Sequence, residues 1–245
     1  MDFFKFQYDP AVKFDMYTPM HGLMLLLFVI LVVLFFVFKH RIYTSKHEKS
    51  IRYGYATFLI LMHITLIVVE YGGGHVYLPF HLCSISYILT YVLLFTNNKK
   101  VFQFLMYTGI IGGLVSFAIP DLYHAGYNRF RFYEFIIAHT SIIVIPIYYF
   151  SEYKFKLDIK SLYFTIVLTN ILGFIMLPVN ILLNRTGIIE DANFMFMLGP
   201  PEDVEAVFGT FPFHLIIFEI ILLISFFGIY KIANFTLDYT TKKAT

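Results

Sequence analysis

The chain has 245 residues, 59% apolar and 14% charged, with 18 Lys and Arg against 16 Asp and Glu and a mean hydropathy of +0.74. A soluble domain of this size cannot cover its surface with so few charges. Disordered chains, nucleic-acid binders and disulfide scaffolds need polar bulk or several cysteines, and this chain has one cysteine, Cys83. The composition is that of an integral membrane protein.

About 20 mostly apolar residues are needed for a helix to cross the hydrocarbon layer. In chain order the pattern predicts seven spans: 20–38, 52–70, 78–95, 101–119, 132–150, 160–181 and 212–232. The first runs from Leu23 to Phe38 without a charge. The third starts at Pro79, a favourable place for a helix to begin. The fourth carries Gly109, Gly112 and Gly113, which permit close helix approach, and it ends at Pro120. The sixth contains Asn170, Pro178 and Asn180 and is expected to kink near its end. Before the first span, residues 1–17 mix Phe3, Phe4, Phe6 and Phe14 with charges. They read either as an amphipathic interfacial segment or as a loose tail. No signal peptide is read at the N-terminus.

The fold class is therefore all-α: one bundle of seven transmembrane helices spanning residues 1–245. Placing Lys and Arg by alternate loops puts 13 on one side and 5 on the other. The positive-inside rule then sets the N-terminus outside and the C-terminus in the cytoplasm. The one long connection, 182–211, is external and acidic, with Glu190, Asp191, Glu202, Asp203 and Glu205. It is read as a lid or as a passive loop.

On this topology His40 and His47 fall in a cytoplasmic loop. The other seven histidines (His21, His63, His75, His81, His124, His139 and His214) fall in the outer half, as do Glu70, Cys83, Asp121, Arg131, Glu134 and Glu219. The cytoplasmic halves carry almost no ionisable group. Ionisable side chains in a span are costly and face a bundle interior or a wet cavity, so one polar cavity open to the exterior is expected. The alternative is a set of separate anchors at helix ends.

Helix rise puts Cys83 about 8 Å below Leu78 and His139 about 10 Å below Phe132, at similar depth. A Cys–His pair is the minimum for nucleophilic acyl transfer: the imidazole takes the thiol proton and the thiolate attacks a carbonyl. The structural reading of Cys83 is a small apolar residue in a helix contact. Arg131, Phe135 and His139 follow at i, i+4 and i+8 along one stripe. Arg131 either makes a helix-end pair with Glu134 or grips a lipid phosphate. His81 and Cys83 do not share a face, so His81 is expected to meet the sixth loop or the seventh span. Asp121 either orients a histidine, as the third member of a triad does, or caps the turn at Pro120. Glu219 lies about 7 Å below His214 on the last span. His75, His81, Asp121, His124, His214 and Glu219 lack metal-binding spacing such as His-Glu-x-x-His, so no metal and no cofactor are expected. The run Gly72-Gly73-Gly74 is a tight external turn.

Four stretches carry a resemblance: His81-Leu82-Cys83-Ser84-Ile85; Pro120-Asp121-Leu122; Arg129-Phe130-Arg131-Phe132 through His139; and Phe211-Pro212-Phe213 with Glu219. In these the chain resembles the YwaF-like integral membrane proteins. Animal relatives of that family include a transmembrane acyltransferase that remodels ether phospholipids and depends on a cysteine and a histidine. By motif, the resemblance implies Cys83 and His139 in those roles. The abundance of Phe, Ile, Tyr and Lys suggests a bacterial source.

The expected activity is a membrane acyltransferase, or a lipid acyl hydrolase, at the outer leaflet. Cys83 and His139 are the candidate catalytic residues; Arg131, His81, Glu134, Asp121, His214 and Glu219 are the candidate substrate-binding residues. The expected partners are a phospholipid or lysolipid and a lipoprotein acceptor, with no nucleic acid; the oligomeric state stays open. Two other readings stand beside it: a transporter or flippase-like protein with a His/Glu relay, and a non-catalytic receptor or assembly factor.

Overall fold

The computed structural model describes residues 2–201 and 204–243, with side chains to residue 236. Glu202 and Asp203 of the acidic loop, and the side chains of Lys242 and Lys243, lie outside the described residues. The described chain is all helical, in the order α1 (Pro19–Tyr43), α2 (Glu48–Gly72), α3 (Leu82–Thr96), α4 (Lys99–Ala118), α5 (Phe130–Ser151), α6 (Ile159–Thr186), α7 (Glu205–Phe208) and α8 (Phe213–Lys243). Six of these, α1, α2, α4, α5, α6 and α8, are long and apolar enough to cross a membrane. The chain is a multi-pass membrane protein.

The boundaries follow local chemistry. Asn97 closes α3 in the left-handed conformation (φ 51°), a region Asn tolerates well. Its neighbour Asn98 caps α4, its side chain accepting from the N–H groups of Lys100 (2.8 Å) and Val101 (3.3 Å). Asp158 and Ser161 form a capping box at the start of α6. Gly187 ends that helix at φ 67°, so the long connection begins at 187 rather than 182.

The third helix departs most from expectation. It has 15 residues and starts at Leu82, not near Pro79. His81, extended at φ −72° and ψ 148°, is its N-cap residue. Residues 77–81 therefore enter as non-helical chain. Cys83 lies in the first helical turn instead of well inside a span.

α5 is the axis of the bundle. It touches α1, α2, α3 and α4, and 16 of its 22 residues are buried, as expected of a helix apolar on every side. The glycines of α4 set its distance from α5. A Cβ on Gly109 would strike the carbonyl oxygen of Ile142, and one on Gly113 would strike Ile143, while Gly112 faces open space. α6 and α8 pack on α4 and on each other. α1 lies against α5 with only His21 and Met24 buried.

The N-terminal segment is docked rather than loose. The Phe14 N–H donates to the His124 carbonyl (3.0 Å), and His124 Nδ1 donates back to the Phe14 carbonyl (3.1 Å). Arg129 Nε donates to the Gln7 carbonyl (2.7 Å), and Phe6 stacks on His75 at 4.0 Å.

A second polar cluster occupies the opposite end of the bundle, where the sequence places basic loops and almost no ionisable group within the spans themselves. Glu48 accepts from Arg52 Nε (3.0 Å), Tyr153 (2.7 Å) and Tyr148 (3.3 Å). Arg52 also donates to the Leu94 carbonyl. Glu152 binds Lys39 (2.5 Å) and His40 (3.0 Å). α2 starts at Glu48, so Arg52 is a buried helix residue and not part of a loop.

Candidate functional site

Cys83 is partly buried and packs against the main core cluster. Cys83 stands in the first turn of α3, where the N–H groups of Leu82, Cys83 and Ser84 have no partner within the helix. The start of α3 adds the positive end of the helix dipole behind them. A negative sulfur here would meet donors.

His139 is buried in the third turn of α5. Its Nδ1 lies 2.8 Å from the Phe135 carbonyl. A carbonyl only accepts, so Nδ1 carries the proton and Nε2 keeps its lone pair. The imidazole rests on the Phe135 ring at 4.0 Å and meets the Phe117 ring at 6.3 Å.

The stripe along α5 has the predicted order. The Arg131 guanidinium stands 5.7 Å from the centre of the Phe135 ring, whose neighbour is His139. Arg131 Nη1 donates to Glu134 at 2.7 Å, and Glu134 is buried. Arg131 Nη2 lies 3.5 Å from the Asp121 carbonyl, while Nε is buried without a partner.

His81 meets the long loop. The Met195 N–H points at His81 Nδ1 (3.4 Å), and the ring packs against Phe194 and Phe196. Its Nδ1 is thus the acceptor and Nε2 carries the proton. Asp121 caps a turn, accepting from the Tyr123 N–H at 3.3 Å. His214 and Glu219 bond to partners other than Arg131. His214 is fully buried and donates through Nε2 to the Phe196 carbonyl at 2.9 Å. Glu219 accepts from Asn170 at 3.2 Å.

The remaining histidines expected in the outer half do not share one site; three of them tie separate elements. His21 joins Tyr17 to the Phe117 carbonyl, His63 joins Tyr77 and Tyr91, and His124 joins Phe14 and Asp15. Among the described residues no three His, Cys, Asp or Glu side chains gather as metal ligands.

Two asparagines one turn apart on α6 hold the long loop. Asn180 exchanges both its amide hydrogen bonds with the Phe194 backbone (2.9 and 3.0 Å), and Asn184 does the same with Ala192 (2.6 and 3.0 Å). The i, i+4 spacing of two amides on an apolar span was the available signal for this strap.

A family model matches residues 16–230, and the chain belongs to the TMEM164 family. No curated protein and no solved structure matches it.

Proposed function

We propose that this member of the TMEM164 family is an acyl-transfer enzyme working at the outer leaflet of a bacterial cell membrane. The chain crosses seven times with the N-terminus outside, α3 being the short crossing. Non-helical backbone at membrane depth is tolerated only where protein covers it. The hydrogen bond from Tyr77 to His63 and the strap over His81 supply that cover.

His139 Nε2 takes the proton from the Cys83 thiol. The sulfur attacks the ester carbonyl of a phospholipid, and the C–O bond breaks. The lysolipid alkoxide leaves with the proton from the imidazolium, and the acyl group stays as a thioester on Cys83. A lysolipid hydroxyl, or a lipoprotein amine or hydroxyl, then gives its proton to His139 and attacks the thioester; the C–S bond breaks, and the leaving Cys83 thiolate takes that proton back from the imidazolium. Water in that place makes the enzyme a hydrolase. Arg131, with its unpartnered Nε, holds the phosphate. His81 Nε2–H supplies a donor to the oxyanion.

The observation that carries this reading is the tautomer of His139. Phe135 fixes the proton on Nδ1, leaving Nε2 free as a base nitrogen on the stripe that begins at Arg131. A relay across the bilayer is the weaker reading, because Glu48 and Glu152 at the opposite end are each held by a cation. The test is acyl exchange between phospholipid and lysophospholipid in reconstituted protein, together with labelling of Cys83 by a lipid-like electrophile. Cys83→Ala loses the exchange, and His139→Ala loses the labelling. Full activity in Cys83→Ala overturns the mechanism.

A further inference from the structure

Between α1 and α4 runs a groove of about 740 Å³, within the size range of small-molecule sites. Leu25, Phe28, Leu114 and Ala118 form its walls, and Thr18 and His21 lie at one end. From Thr18 to Phe28 is about 15 Å of helix, half the hydrocarbon layer and so the depth of one leaflet. Apolar walls with a polar lip at the level where α1 begins match a lipid chain below its head group.

The inner side of the groove leads to the candidate site. Phe117 lines the groove and stacks on Phe28 at 4.1 Å. The same ring meets Phe135 at 6.1 Å and His139 at 6.3 Å. One aromatic side chain therefore separates the groove from the imidazole. His21 fixes its backbone by donating through Nε2 to the Phe117 carbonyl at 3.0 Å.

We infer that the α1/α4 groove seats one acyl chain of an outer-leaflet phospholipid, with Phe117 as the wall between that chain and His139. The inference rests on the acyl-transfer reading and names where its substrate lies. Charged or fully polar ligands are excluded by the walls.

Gly22 makes the inference testable. It lines the groove, and a Cβ there would meet nothing within 4 Å, so a large side chain fills the groove without displacing the helix. Ala118, also lining and exposed, offers a second variant should Gly22→Phe fail to fold. The experiment uses the full chain in nanodiscs containing phosphatidylcholine with a diazirine on one acyl chain, followed by peptide mapping of the adducts. Expected is enrichment of adducts on the groove stretches of α1 and α4 over the outer faces of α6 and α8. Gly22→Phe or Ala118→Phe lowers the groove adducts about tenfold and leaves those on α6 and α8 unchanged. Groove labelling no higher than on α6 and α8, labelling indifferent to both blocking variants, or cross-linking of α1 to a second copy overturns the assignment. The labelling is read in Cys83→Ser as well, where the groove is intact and transfer is absent. A failure of the groove thus separates from a failure of the nucleophile.

Discussion

The carbonyl of Phe135 accepts the Nδ1–H of His139 at 2.8 Å, while the Phe135 ring lies 4.0 Å from the imidazole. The first contact is backbone and survives any substitution at position 135 that keeps the helix. Phe135→Leu is therefore expected to keep acyl transfer within about tenfold. His139→Ala is expected to lose about 10²–10⁴-fold, the usual worth of a general base. Initial rates of acyl exchange check both; equal losses in the two variants would mean that the ring, not the base, matters.

Arg131 and Glu134 form a pair with 16% and 2% of their side-chain surface exposed. Removing one partner of a buried pair strands the other and costs about 3–5 kcal/mol. Glu134→Gln is expected at the lower end, because the Asp121 carbonyl still lies 3.5 Å from the guanidinium. Thermal unfolding in detergent measures this. The Arg131→Met, Glu134→Leu double variant should recover much of the lost stability but not the activity.

Gly109 and Gly112 lie on one helix with opposite surroundings. A methyl at 109 meets the Ile142 carbonyl, and one at 112 meets nothing. Gly109→Ala should destabilise by about 1–3 kcal/mol through overpacking. Gly112→Ala should be neutral or raise the melting temperature, since Ala is favoured over Gly in a helix by about 1 kcal/mol. The paired melting curves decide it.

Burial opposes charge on Glu152, but the hydrogen bonds from Lys39 and His40 outweigh it and hold the carboxyl below its ordinary value of 4.5. A carboxylate with a lowered folded-state pKa contributes stability that is fully present above its unfolded pKa and is lost as pH falls through the folded one. Stability from this end of the bundle should hold from neutral pH down to about 5 and fall at lower pH. Glu152→Gln should be less stable at pH 7 and should flatten that acid limb, as followed by melting temperature against pH.

The apolar runs and their order were legible because helix length and hydropathy are local properties. The start of α3 was not. Pro79 suits a helix start, yet the strap contact at His81 and the Tyr77–His63 bond keep residues 77–81 extended, and these are long-range. The stripe Arg131–Phe135–His139 was readable from spacing alone. The docked N-terminal segment was not, because Arg129 and His124 bind carbonyls of Gln7 and Phe14, and a carbonyl carries no residue-type signal. The cluster around Glu48 and Glu152 was hidden because Arg52 and Glu152 sit at helix ends, where a charge ordinarily means solvent.

α1 makes its polar ties to the bundle at its two extremities, His21 to the Phe117 carbonyl at one and Lys39 and His40 to Glu152 at the other, and packs Met24, Phe28 and Phe35 on the core between them. Between them most of its surface is left to the surrounding lipid. A rod clamped at both tips keeps a constant gap to its neighbour whatever fluid flows past it. Preference for chain length should thus belong to the protein and persist when it is moved between thin and thick bilayers.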